Sequence, residues 1–324
     1  MAYNAVISAT DAAALIPEEA ASNIIKSVVD SSWLFSLSRR LSDMSRGQTR
    51  LPVMSALATA YFVTGETGLK QTSELNWANK YIDAEELAVI VPIAESVLDD
   101  SAYDIWGEVQ PALVEAFNIA ITGAVLYGTN IPATWTTNLG AAGLVAFATA
   151  ATSVASVASF ADLYEAILGE SADGSADGLL SLLEADGFEA TGHVGAMGMK
   201  SRLRNCRDAD GNPIFVATPQ AGTNYALDGA PCYFPKDGSI SAASALLISG
   251  DWSQLVYSIR QDMTFKILDQ AVIQDAAGNI VYNLAQQDMV AMRAVMRLGF
   301  ALPNPINRME QTEASRSPFA ILTA

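Results

Sequence analysis

One histidine, two cysteines and a charged fraction of only 16% are the scarcities of this 324-residue chain, and each excludes something. A Ser-His-Asp triad would have to use His193, and no Gly-x-Ser-x-Gly elbow is present to expose a nucleophile. A lone histidine between Gly192 and Val194 reads as structural. A zinc centre would need Cys206, Cys232, His193 and a carboxylate, and these lack the close pair spacing of such sites. Two cysteines cannot form a disulfide framework, so both read as buried thiols in a reducing compartment. The opening residues, Met-Ala-Tyr-Asn-Ala-Val-Ile-Ser, lack the basic stretch that begins a signal peptide. Two motifs fall short. Gly195-Ala-Met-Gly198-Met-Lys200-Ser201 misses a phosphate loop because Met199 separates glycine from lysine. Asp208-Ala-Asp-Gly-Asn212 misses a calcium loop because its glycine comes early and no glutamate closes it. We expect no catalytic, cofactor or metal site.

Basic residues are missing from a long stretch. Between Tyr81 and Met199 there are 17 acidic residues and no lysine or arginine, while the remainder is neutral, so the middle carries the whole net charge of −17. A specific duplex-DNA reader needs a basic stripe to neutralise phosphates. The middle of this chain has the opposite sign and reads as a solvated acidic face, or as a wall that holds nucleic acid only weakly. Residues 116–161 contain no charge at all. Residues 139–161 are long enough to span a bilayer but are mostly Ala, Gly, Ser and Thr with no flanking Lys or Arg, so no membrane is expected.

Hydrophobic residues make up 51% of the chain, and a surface so poor in charge suggests cover by neighbouring copies. Residues 11–41 read as an arm running into a helix, with Pro17 at its first turn beside Glu18 and Glu19, and with Ile24, Ile25, Val28 and Val29 on one face. Arg39, Arg40, Arg46 and Arg50 make the most basic part. Residues 51–63 and 87–93 are extended in character, and the polar segment between them predicts a long two-stranded hairpin with an irregular tip. Such a hairpin is marginal in water unless it packs on something, here another subunit. The strongest helical signal is 101–128. There Ile105, Val109, Leu113, Ala116, Phe117, Ala120, Ile121, Ala124 and Val125 repeat at helical spacing, acids sit near the start and Gly128 supplies a stop. At about 1.5 Å per residue that helix would be roughly 42 Å long, with Pro111 marking a kink or a later start. Short helices are expected at 160–168 and 179–184, strands at 246–248 and 255–259, and a strand or helix within 280–300. Turn signals lie at 210–213, 227–231, 236–238 and 276–279. The class is α+β.

The order of these elements resembles the major capsid proteins of tailed double-stranded DNA phages, which share the Hong Kong 97 fold. The likeness begins at Leu15-Ile-Pro-Glu-Glu19 and Arg50-Leu-Pro-Val53, then a polar loop with Trp77. It continues through Val91-Pro-Ile-Ala-Glu-Ser-Val-Leu-Asp-Asp-Ser101 and Gly128-Thr-Asn-Ile-Pro132. Further matches are Arg202-Leu-Arg204 with Asp208–Pro213, Leu227-Asp-Gly-Ala-Pro231, and Ile248-Ser-Gly-Asp-Trp252 with Tyr257-Ser-Ile-Arg260. The resemblance implies an N-terminal arm at 1–50 and an extended loop over a neighbour at 51–95. It places a spine helix of the peripheral domain at 96–130, an axial domain at 131–248 and a return to the peripheral domain at 249–324. It implies a structural protein, not an enzyme, whose pentamers and hexamers form an icosahedral head around the genome. Candidate contacts between copies are Arg50, Tyr61, Glu66, Lys70, Trp77 and Lys80. Some relatives crosslink a loop lysine to a neighbour's asparagine, which makes Lys70 a candidate, although a solvated lysine is the plainer reading. Because the chain starts almost at the arm, a separate scaffolding protein, or assembly without one, is expected, with a portal and possibly a decoration protein as further partners. Packaged DNA would be contacted weakly, and assembly would occur in the host bacterial cytoplasm. The alternatives are an encapsulin-like compartment of the same fold enclosing a cargo enzyme, and an unrecognised enzyme.

Overall fold

The computed structural model describes residues 32–63, 68–101, 104–140, 142–169, 171, 174–207 and 225–324. The expected arm helix around Pro17, Glu66, and the turn at 208–213 lie outside the described residues. In chain order the elements begin with α1 (Trp33–Leu37), β1 (Arg39–Arg40), β2 (Gln48–Ala56), β3 (Asn76–Asp83), β4 (Glu85–Ala94), α2 (Glu95–Asp100) and α3 (Ile105–Tyr127). Then come α4 (Thr136–Leu139), α5 (Gly143–Ala150), β5 (Val154–Ser156), α6 (Leu163–Leu168), α7 (Leu179–Ala185), β6 (Gly192–Gly195) and α8 (Met199–Arg204). The chain closes with β7 (Ala226–Leu227), β8 (Ala230–Tyr233), β9 (Leu247–Gly250), β10 (Val256–Leu268), β11 (Val272–Gln274), β12 (Ile280–Asn283), β13 (Met289–Ala301) and β14 (Phe319–Thr323).

The periodic apolar run folds into α3, four residues later than the sequence suggests. Its start is fixed by Asp104, whose carboxylate accepts from the Gly107 N–H at 3.1 Å. Pro111 lies inside the helix, not at its start. Leu113, Phe117, Ile121, Ala124 and Val125 are buried, whereas Ala116 and Ala120 face outward. Gly128 ends the helix in the left-handed region at φ 66°, and a Cβ there would sit 2.6 Å from the Ala142 backbone. Helix α3 is long and apolar enough to cross a bilayer, but its buried stripe belongs to the main core of this fold. Residues 139–161 hold the short α5 and β5 and no helix long enough to span a bilayer among the described residues.

Two sheets organise the molecule. One has the order β1-β10-β13-β4, in which the 13-residue strands β10 and β13 run antiparallel and β4 pairs with β13. The segment 280–300, open between strand and helix by sequence, is therefore extended over β12 and β13. The inward side chains Leu87, Val89, Val91, Met292, Ala294 and Met296 share the main core with α3. The other sheet has the order β5-β14-β9-β6-β8-β7, with a second core under α6 and α7. Residues 249–324 thus divide: β10 and β13 lie in the first sheet, but β14 inserts between β5 and β9 in the second.

The expected hairpin exists with a different partner strand. β2 pairs with β3, not with residues 87–93. The apolar run of β4 is taken by β13, where its alternate side chains are half-buried, and the more polar β3 is left to pair with β2, whose one buried side chain is Val53. At the other sheet's edge, Asp228 and Gly229 both adopt positive φ and close the β7–β8 turn, as the Leu-Asp-Gly-Ala signal suggests.

Candidate assembly surface

The β2–β3 hairpin carries a run of exposed large apolar side chains. Met54, Tyr61, Phe62, Val63, Leu69, Leu75, Trp77 and Tyr81 are all solvent-facing, with Trp77 65% and Leu69 91% exposed. Large apolar side chains held out on a two-stranded ribbon have no internal partner to bury them, and such patches mark interaction sites. Beyond the strands the ribbon is held by polar crosslinks. The Thr59 N–H donates to Ser73 Oγ at 2.8 Å, and the Tyr61 hydroxyl donates to the Thr72 carbonyl at 3.2 Å.

Of the residues expected to contact neighbouring copies, Arg50, Tyr61, Lys70 and Trp77 are exposed on this ribbon. Arg50 sits opposite Tyr81, and Trp77 opposite Met54. Lys80 is placed differently. It faces Leu51 in the register, and its Nζ is 2.5 Å from Glu313 Oε1 of the same chain, with the lysine side chain only 24% exposed. Glu66 is outside the described residues. Sequence reasoning missed Met54, Phe62, Leu69 and Leu75. The available signal was the recurrence of large apolar residues in an otherwise polar stretch.

A second exposed apolar patch lies on the β11–β12 hairpin and the adjoining end of β10, where Ile267, Val272, Ile280, Val281 and Tyr282 face solvent. Asp275 closes this hairpin by accepting from the Asn279 side-chain amide at 3.1 Å and from the Asn279 and Ala277 backbone N–H groups at 2.8 and 2.9 Å, and these bonds hold its carboxyl below the usual value.

The single histidine and the two cysteines are placed as follows. His193 is fully buried. Its Nε2 lies 3.0 Å from the Leu227 carbonyl, which can only accept, so Nε2 carries the proton and Nδ1 accepts from the Ser249 hydroxyl at 2.6 Å. Burial lowers its pKa. Cys206 and Cys232 are free thiols and only half-buried, less enclosed than the sequence suggests; burial pushes the Cys232 thiol up to about 12. No group of three or more metal-ligating side chains occurs among the described residues.

The comparisons agree with this picture of a structural chain. The family model described as the Phage capsid family matches residues 12–307. The major capsid protein of Staphylococcus phage 80alpha is 26% identical over 279 residues, 85% of this chain and 78% of that protein. A solved structure from Microbacterium phage Oxtober96 is 33% identical with a TM-score of 0.80, covering 98% of this chain and 99% of that one. One from Mycobacterium phage Bobi is 28% identical with a TM-score of 0.79 over the same shares. The chain belongs to the phage capsid family, and its mixed helix-and-sheet architecture is the Hong Kong 97-like fold expected from the sequence. Capsid proteins are structural, act in the virion and associate with copies of themselves.

Proposed function

We propose that this chain is the major shell-forming subunit of a tailed-phage head. Membership of the phage capsid family carries the reading, and the projecting ribbon of exposed apolar residues supports it. In this reading residues 1–50 are an arm, and 51–95 hold the loop that lies over a neighbouring subunit. Residues 96–130 hold the spine helix, and 131–248 with β14 form the axial unit. The remainder of 249–324 returns to the peripheral sheet. Contacts between copies involve Arg50, Tyr61, Glu66, Lys70 and Trp77, with Lys80 serving first as an internal tether. Lys70 is the loop lysine free to crosslink. A single band at monomer mass after boiling reduced particles would remove that idea.

The shell grows from pentamers and hexamers in the host cytoplasm with a separate scaffolding protein and a portal, and encloses DNA that its acidic middle holds weakly. Each subunit contact is weak, and many act together. Expression of the full chain, alone and with the scaffolding protein, followed by negative-stain electron microscopy, tests this. Closed shells, tubes or rings of five and six are expected. A dispersed compact monomer under both conditions would overturn the reading.

A further inference from the structure

The ribbon is not simply hung from the sheet; two segments hold it, one at the end of β3 and the other on both of its strands. On the β3 side, the Trp135 indole N–H donates to the Asp83 carbonyl at 2.9 Å, and the Asn138 amide donates to the Tyr81 carbonyl at 2.5 Å. Three groups from the segment between β13 and β14 also reach the ribbon, two on its β2 side and one on β3. The Ile306 N–H bonds the Met54 carbonyl at 3.3 Å, the Arg308 guanidinium donates to the Ala58 carbonyl at 2.7 Å, and Glu313 pairs with Lys80.

This segment has no regular secondary structure, yet it is fixed. Arg316 is 2% exposed, and its guanidinium donates to Asn304 Oδ1 at 3.1 Å, to the Asn304 carbonyl at 2.8 Å and to the Glu310 carbonyl at 2.9 Å. The Asn304 amide returns a bond to the Arg316 carbonyl at 3.0 Å, so the two ends of the segment are stapled together. The staple is joined in turn to the six-stranded sheet's side of the molecule. Asp186, just past α7, accepts from the Ser317 N–H at 2.9 Å through its carboxylate and from the Asn307 amide at 2.6 Å through its carbonyl. An irregular loop with this many internal bonds transmits position as a rigid element does.

We propose that residues 304–316 are a brace that sets the attitude of the β2–β3 ribbon relative to the six-stranded sheet, with Arg308 and Glu313 as the positioning residues that grip the ribbon and Arg316 as the residue that keeps the brace rigid. The inference rests on the assembly reading above only for its consequence: the ribbon reaches a neighbour at a fixed angle. The brace itself stands on the intramolecular geometry. Both gripping residues are at the surface, so replacing them leaves the cores intact.

Amide hydrogen exchange on the purified full chain tests this in the Arg308→Ala, Glu313→Gln double variant. Exchange in β2, β3 and residues 57–60 is expected to quicken roughly two- to five-fold, the scale of a partly exposed ion pair and a hydrogen bond, while β9 and β14 keep their rates. The charge swap Lys80→Glu, Glu313→Lys is expected to return the ribbon close to its original rate. Unchanged ribbon exchange in the double variant, a rise shared by β9 and β14, or a swap that leaves the ribbon loosened would overturn the brace. Failure of the unmodified chain to form shells, with the exchange pattern as expected, counts against the assembly reading alone.

Discussion

Two buried polar residues, His193 and Arg316, illustrate how this chain uses groups that elsewhere do chemistry. Both are enclosed with partners at hydrogen-bond distance, so each is costly to remove. His193→Ala leaves the Ser249 hydroxyl and the Leu227 carbonyl without their partner. We expect a loss of about 2 kcal/mol in denaturant unfolding, with no change in any surface property. Because burial depresses the histidine pKa, the folded state favours the neutral ring. Its contribution to stability is therefore complete above the ordinary histidine value of 6.5 and is lost as pH falls below it toward the depressed folded value. The wild-type unfolding midpoint should drop across that window, and His193→Gln should flatten the drop. An equal slope in both proteins would show that His193 is not the group responsible. Arg316→Lys is expected to cost about 2–3 kcal/mol, because an ammonium cannot reproduce a planar guanidinium's three directed bonds.

At the scale of elements, α3 has two ends of unequal strength. Asp104→Ala removes one cap bond and should cost about 1 kcal/mol in thermal unfolding. Gly128→Ala forces a side chain into the left-handed region at about 1–2 kcal/mol and also presses a Cβ on the Ala142 backbone, which cannot rotate away. The glycine variant should therefore be clearly the less stable of the two. The reverse order would mean that the α3–α5 junction relaxes more readily than its geometry suggests. The helix was legible because its stripe has the right period and its stop is a glycine. The hairpin pairing was not: residues 51–63, 76–83 and 87–93 can all be extended, and no local feature says which two meet. The competition was decided by β13, far away in sequence, which pairs with β4 along its length and half-buries its alternate side chains.

The whole molecule carries −17 charges, and its middle has no cation between Tyr81 and Met199. Copies brought together repel one another at low ionic strength, so light-scattering assembly rates should rise with salt up to about 0.15 M, where screening acts within roughly 8 Å. A falling rate would point instead to ion pairs dominating the contacts. Trp77→Ser should leave the unfolding midpoint of the subunit within about 0.5 kcal/mol, because the ring is exposed, while lowering the yield of shells. Loss of both together would place Trp77 in the subunit's own core.

By itself the sequence determined the α+β class, the long helix and its glycine stop, the acidic middle and the order of motifs that resembles phage capsid proteins. These are properties of local period, residue inventory and charge, and they require no knowledge of what touches what. The tertiary structure decided the rest. It gave β4 to the packed sheet and left β3 to the ribbon, and it drew the C-terminal strand into the six-stranded sheet. It paired Lys80 with Glu313 of the same chain, and it stapled 304–316 through Arg316. Each of those outcomes depends on which of several chemically acceptable partners burial brings within reach, and burial is a property of the whole chain.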